Sequence, residues 1–89
     1  MAIKITEGYP IPGTSLSARN RTLLAAMTNK QSDEDGTLSD NEISWLLRRA
    51  EGGFGIVTTA ASHVHPGGKS WEGEMGVWSD HHIPKLEQL

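Results

Sequence analysis

Eighty-nine residues hold one domain at most, since domains usually run to about 100–200 residues, and a chain this short buries little area. A net charge of −3, with eight scattered Lys and Arg, excludes a general phosphate-backbone binder, which needs clustered cations. The absence of cysteine excludes a disulfide framework and a Cys-based zinc site. The first residues lack a signal-peptide pattern and no apolar run approaches the roughly 18 residues of a membrane span. The expectation is therefore a soluble, cytoplasmic chain that meets neither nucleic acid nor membrane.

Ala2 to Thr6 alternates, with Ile3 and Ile5 on one side and Lys4 and Thr6 on the other, which predicts a short half-buried strand. Glu7 to Gly13 carries two prolines and two glycines and is expected to break regular structure. Ser15 to Arg21 is polar and suits a turn. Thr22 to Ala26 then reads as a buried strand that delivers Met27 and Thr28 to a functional mouth. Asn29 to Thr37 is a polar loop tipped by Asp33-Glu34-Asp35-Gly36, a solvated tip without the ligand spacing of a calcium loop.

The next segment is a helix with both ends marked. Ser39-Asp40-Asn41-Glu42 has the form of a capping box, in which the Ser side chain takes the Glu42 amide and Glu42 reaches back. Leu38 and Ile43 sit at staple positions around that cap. Ile43, Leu46, Leu47 and Ala50 form one apolar stripe at helical spacing, with Trp45 off its edge. Arg48 and Arg49 complement the dipole of the last turn, and Gly52-Gly53 ends the helix.

Gly55 to Thr59 has continuous β-branched content without alternation, as in a strand buried on both faces. Strand, capped helix and strand read as a βαβ unit with a parallel pair. Ser62 to Trp78 reads as a long loop, and long loops in compact domains are usually functional or disordered. Trp71 and Trp78 are expected to pack that loop down, with Glu72 and Glu74 in solvent. Its two histidines, His63 and His65, and the later His81 and His82 raise a metal site, but no nearby carboxylate is evident to orient the imidazoles. Surface histidines and no metal are the expectation. Ser79-Asp80 opens a second helix, with Pro84 in its first turn and Ile83, Leu86 and Leu89 starting an apolar face. This β-α-β-α order predicts a piece of a repeating α/β architecture.

Several ordered blocks carry a family resemblance. Asn20-Arg21, Ala25-Ala26-Met27-Thr28 and Asp35-Gly36 resemble the first barrel strand and loop of the old yellow enzyme family, FMN-dependent NAD(P)H:flavin oxidoreductases and ene-reductases. Arg48 to Gly55 resembles that family's first helix end and second strand start. Thr59-Ala60-Ala61, Pro66-Gly67-Gly68-Lys69 and Gly76-Val77-Trp78-Ser79-Asp80 resemble the segments that come next in the family. The resemblance implies an α/β fold, the N-terminal β-α-β-α portion of a (β/α)8 TIM barrel, preceded by a short N-terminal strand or hairpin. On that reading residues 1–89 are the N-terminal fragment of one FMN-binding domain, with its active site at the carboxyl ends of the strands.

It also implies cofactor contacts at Ala26, Met27, Thr28 and Ala61, with FMN as cofactor and NAD(P)H as electron donor. Thr28 would lie near the flavin O4 and N5 edge, and the small Ala26 and Ala61 would let backbone approach the ring. Ala26 stands where many members carry proline, and Asn29-Lys30-Gln31 departs from the better-known members. The family's third-strand Gln, substrate-anchoring donors, proton donor and phosphate-binding segment match nothing up to Leu89, so no catalytic acid or base is assigned. Taken as residues alone, Thr28 equally suits satisfying backbone groups at a strand end, and Met27 suits core filling. The expected partners are a small-molecule substrate such as an activated alkene and, for the fragment reading, a second copy or a complementing chain.

Overall fold

A computed structural model describes residue 2 and residues 4–89. The amino-terminal strand expected over residues 2–6 falls partly on Ile3, outside the described residues. Ile5 and Thr6 lie in a turn closed by Glu7 N–H on the Lys4 carbonyl at 3.1 Å, and Ile5 is exposed. The first ladder comes in the stretch expected to be irregular. Strands β1 (Tyr9–Pro10) and β2 (Ser17–Ala18) form an antiparallel hairpin in the register Tyr9 to Ala18 and Pro10 to Ser17. Its turn closes through Thr14, whose N–H and hydroxyl both donate to the Ile11 carbonyl, at 3.2 and 2.8 Å.

A parallel pair comes next. Strand β3 (Leu23–Leu24) lies beside β4 (Ile56–Val57), Leu23 opposite Ile56 and Leu24 opposite Val57. The ladder is shorter than the sequence predicts, and Ala25 to Thr28 run on beyond it. Neither strand is buried within this chain: Leu23 is 56% exposed, and β4 is half-buried.

Helix α1 (Asp40–Glu51) makes the crossover between them. Ser39 caps it, its hydroxyl accepting from Glu42 N–H at 3.1 Å. The reciprocal half of the expected capping box is absent. The Glu42 carboxylate turns inward and accepts from the Ser32 hydroxyl instead. Arg49 stacks its guanidinium 3.9 Å over the Trp45 ring, which explains why an aromatic sits comfortably off the apolar stripe. Leu46 is buried on that stripe, while Leu47, expected beside it, is 38% exposed. At the far end Gly53 takes φ +118, a conformation open to glycine and costly to other residues.

The junction after α1 is tied back to the start of β3 by three side chains. Asn20 donates through Nδ2 to the Gly53 carbonyl at 2.6 Å and accepts through Oδ1 from Thr22 N–H at 3.0 Å and the Thr22 hydroxyl at 2.6 Å. The Thr22 hydroxyl oxygen in turn accepts from Gly55 N–H at 3.2 Å. Arg19 adds guanidinium bonds to the Phe54 and Ala50 carbonyls.

The long segment expected to be a loop contains a second parallel pair, β5 (Ser62–His63) with β6 (Met75–Gly76), and a 3-10 turn at Pro66–Gly68. A 3-10 turn at Asp80–His82 leads into helix α2 (Ile83–Gln88), with Pro84 in its first turn as predicted. Among the described residues no helix is long and apolar enough to cross a membrane. Leu38, Ile43 and Met75 form one apolar cluster of the core, with Leu86 packed against it, and Ala18, Leu46 and Ala60 are also buried.

That core is small for the mixed α/β surface it supports. The chain exposes 6044 Å², against about 5,100 Å² for a compact chain of its 9.7 kDa mass. Its radius of gyration is 15.1 Å, against roughly 12 Å for a compact chain of this length.

The clamp at Asn20 leaves no room for a side chain on Gly55: a Cβ there would overlap the Asn20 carbonyl oxygen. Gly55→Ala is expected to destabilise the chain by about 1–3 kcal/mol, the usual cost of overpacking, read as a lower urea midpoint at unchanged slope.

Candidate functional site at the carboxyl end of the parallel pair

Because β3 and β4 run in the same direction, the chain leaves both at the same end of the pair. Ala26, Met27 and Thr28 follow β3, and Ala61 follows β4. All four are exposed, Met27 to 46%. The Thr28 hydroxyl takes no part in the side-chain hydrogen bonds of the described residues. Among the described residues, then, no side-chain bond from Thr28 satisfies strand-end backbone, and Met27 is not buried. The four residues form an open surface. A hollow of about 370 Å³ lies at the opposite, amino end of the pair, lined by Arg19, Asn20, Gly53 and Phe54 among others.

Beside this surface two loops are joined along a seam. Residues 29–39, between β3 and α1, meet residues 62–82. Gly76 N–H donates to the Gly36 carbonyl at 2.8 Å and Ser32 N–H to the Gly73 carbonyl at 3.1 Å. Lys69 Nζ donates to the Glu34 carbonyl at 2.7 Å. The backbones touch: a Cβ on Gly36, at φ +89, would lie 2.9 Å from Gly76, and one on Gly73, at φ +77, would overlap the Lys30 carbonyl. Only glycine fits such an approach.

The histidines correct half of the surface reading: His65 and His81 are exposed as expected. His63 and His82 are buried, 5% and 1% exposed. Two carboxylates do stand beside imidazoles. Glu74, expected in solvent, is buried with Oε1 3.4 Å from His63 Nδ1 and accepting from Ser70 N–H at 2.8 Å. Asp35 Oδ2 lies 3.3 Å from His81 Nε2. His82 Nε2 is 2.8 Å from the Asp35 carbonyl, and the Trp78 ring meets His81 and His82 edge-on. These groups fasten the loops together. No cluster of three or more His, Cys, Asp or Glu among the described residues is arranged to hold a metal ion. The sequence missed the buried roles of Ser32, Glu42 and Glu74, because a lone polar residue carries no mark of the partner it meets. Gly36 was legible in part, since Asp-Gly is a turn signal.

The family model of the NADH:flavin oxidoreductase / NADH oxidase family matches residues 9–89. The chain is 36% identical over 76 residues to the probable NADH-dependent flavin oxidoreductase YqiG of Bacillus subtilis, covering 85% of this chain and 20% of the relative. It is 32% identical over 90 residues to an NADPH dehydrogenase of Bacillus pumilus, covering 100% of this chain and 26% of the relative. The chain thus spans about a fifth to a quarter of the length of these curated relatives. A solved 2-naphthoyl-CoA reductase in complex with 2-naphthoyl-CoA superposes with a TM-score of 0.87 at 33% identity, over 94% of this chain and 13% of that one. A variant of NCR from Zymomonas mobilis shares the fold at a TM-score of 0.87 and 18% identity, over 98% of this chain and 27% of that one.

The seam has a pH signature. The Thr37 backbone N–H, 3.0 Å from Asp35 Oδ1, and then the Thr37 side chain hold the Asp35 carboxyl below its ordinary 3.8; charged His81 and His82 add to this and burial opposes it. A depressed folded value means the stabilisation is present above 3.8 and is lost as pH falls through the folded value. The Asp35 side chain is 55% exposed, so the effect is small. Asp35→Asn is expected to lower the melting temperature slightly at neutral pH and to flatten its fall below pH 3.8, as followed by circular dichroism.

Proposed function

The chain belongs to the NADH:flavin oxidoreductase / NADH oxidase family, and from that premise we propose that it forms the first flavin-facing wall of an FMN-dependent NAD(P)H oxidoreductase. The observation that carries this reading is the parallel pair, which sends Ala26–Thr28 and Ala61 out at one end, exposed and free of covering side chains. On this reading β3 and β4 are the first two strands of a (β/α)8 barrel, whose sites lie at the carboxyl ends of its strands.

The residues fit one side of an FMN site. An isoalloxazine ring needs a wall without bulk, and the alanines at 26 and 61 supply it. Met27 adds a polarizable apolar contact. Thr28 offers a hydroxyl that no side-chain bond engages among the described residues, for the polar edge of the ring, where a donor stabilises the charge that develops on reduction. Bound FMN would supply the redox chemistry, accepting hydride from NAD(P)H and delivering it to an electron-poor substrate such as an activated alkene. The acid, base and substrate-anchoring groups of that reaction are not among these residues.

A second reading concerns assembly, and the surface area favours it. The excess of roughly 900 Å² over a compact chain is close to the about 800 Å² that each partner buries in a standard interface. The chain is then ordered against a second copy or a complementing chain that covers its sheet. Sedimentation of the purified chain tests the self-associated form: a monomer at micromolar concentration removes the second copy and leaves only a complementing chain.

Titration of the 89-residue chain with FMN tests the first. Saturable quenching of flavin fluorescence with a shifted absorbance spectrum is expected, and flavin that stays free at all protein concentrations overturns it. In the bound state Thr28→Ala is expected to lower the flavin midpoint potential by roughly 30–60 mV, the equivalent of losing one hydrogen bond to a developing charge.

A further inference from the structure

Glu42 is fully buried, at 0% exposure, and lies outside the open surface of the strand ends. Its Oε2 accepts from the Ser32 hydroxyl, and its Oε1 is buried without a hydrogen-bond partner. Taking a carboxylate out of water is costly unless it is well paired. Helix α1 does not require the sacrifice. Ser39 already caps it, and the dipole at its first turn is equally served by an exposed acid such as Asp40.

What the Glu42–Ser32 bond holds is a strained segment. Lys30 sits at φ +52, the one positive-φ residue other than glycine among the described residues. A left-handed backbone is unfavourable for a residue with a Cβ and persists where its neighbours over-determine it. The neighbours are identifiable. Gly73 presses directly on the Lys30 backbone and accepts from Ser32 N–H at 3.1 Å, while Glu42 fixes the Ser32 side chain from the helix. Lys30 follows Thr28 by two residues.

The geometry points to Glu42 as a positioning residue. From the first turn of α1 it holds Ser32, through Ser32 the kink at Lys30, and so the direction in which Met27 and Thr28 leave β3. This rests on the flavin-facing reading of Thr28.

Three variants of the 89-residue chain test it. Glu42→Leu removes the acceptor while filling its volume, Glu42→Gln keeps a carbonyl acceptor in place, and Ser32→Ala removes the donor without touching the helix. Glu42→Leu and Ser32→Ala are each expected to weaken FMN binding about tenfold and to speed hydrogen exchange of the Ser32 amide about tenfold, the scale of one hydrogen bond's net contribution. Helix content should stay unchanged, and Glu42→Gln should remain within about twofold of the parent, because it rescues the bond. Should Glu42→Leu fail to fold, Ser32→Ala decides. Parent-like affinity and exchange in Ser32→Ala overturn the assignment, as does a Glu42→Gln chain as impaired as Glu42→Leu. A parent chain that does not bind FMN overturns the flavin reading alone, and the Ser32 exchange rate then decides the clamp by itself.

Discussion

The Asn20 side chain is the constraint on which the rest of this chain depends. A parallel pair needs a crossover, and the crossover here returns through two glycines and a phenylalanine with little intrinsic order. Asn20 supplies what that junction lacks: its amide nitrogen holds the Gly53 carbonyl while its oxygen gathers the Thr22 amide and hydroxyl. Thr22 passes the constraint on, because its hydroxyl accepts from Gly55 N–H and its carbonyl accepts from Ile56 N–H at 3.1 Å. The offset between β3 and β4 is thereby set before the first ladder residue. Without it a two-residue ladder has little to resist slippage, since parallel pairing is weak per residue.

The opposite end of the pair is held by different physics. Three buried apolar side chains with one half-buried leucine are a modest cluster, and the loops above the strands are fastened by backbone contact instead. Gly36 and Gly73 bring main chain against main chain, and Gly76 completes the seam by meeting the Trp78 and His82 rings. Backbone groups paired in this way satisfy donors and acceptors that a loop would otherwise leave to water. The result is a platform of fixed shape beside an open surface, an arrangement suited to placing a few exposed residues accurately.

Local signals in the sequence located the elements that depend on local chemistry. Helix α1 begins after Ser39 and stops at the glycines because capping and φ preference act over three or four residues. The parallel pair was legible from strand, helix and strand in succession, and Pro84 fell in a first turn as its ring requires. The errors share one cause. Glu42 looked like the second half of a capping box, and only its long-range partner Ser32 shows otherwise. Glu74, His63 and His82 looked solvent-facing because burial of a polar side chain is decided by a partner distant in sequence. The hairpin at Tyr9–Pro10 was hidden by its prolines, which are tolerated in an edge strand where no ladder N–H is missed. The family resemblance alone singles out Ala26, Met27, Thr28 and Ala61, whereas composition and spacing leave Thr28 and Met27 undecided.

The bare face of the pair has consequences for what covers it. Leu23 is 56% exposed, and among the described residues each strand of the β3–β4 ladder has one edge without a partner. Parallel sheets occur almost entirely with both faces covered, because their strands carry apolar residues on either side. A cover that only shielded the side chains would leave the edge N–H and C=O groups to water, and one that only paired the edges would leave Leu23 exposed. On the proposed barrel reading both needs are met together: strands added in the same direction pair the edges, and closure covers Leu23. The same closure would leave Ala26, Met27, Thr28 and Ala61 at the rim, where the seam between the two loops already holds the backbone that leads away from them.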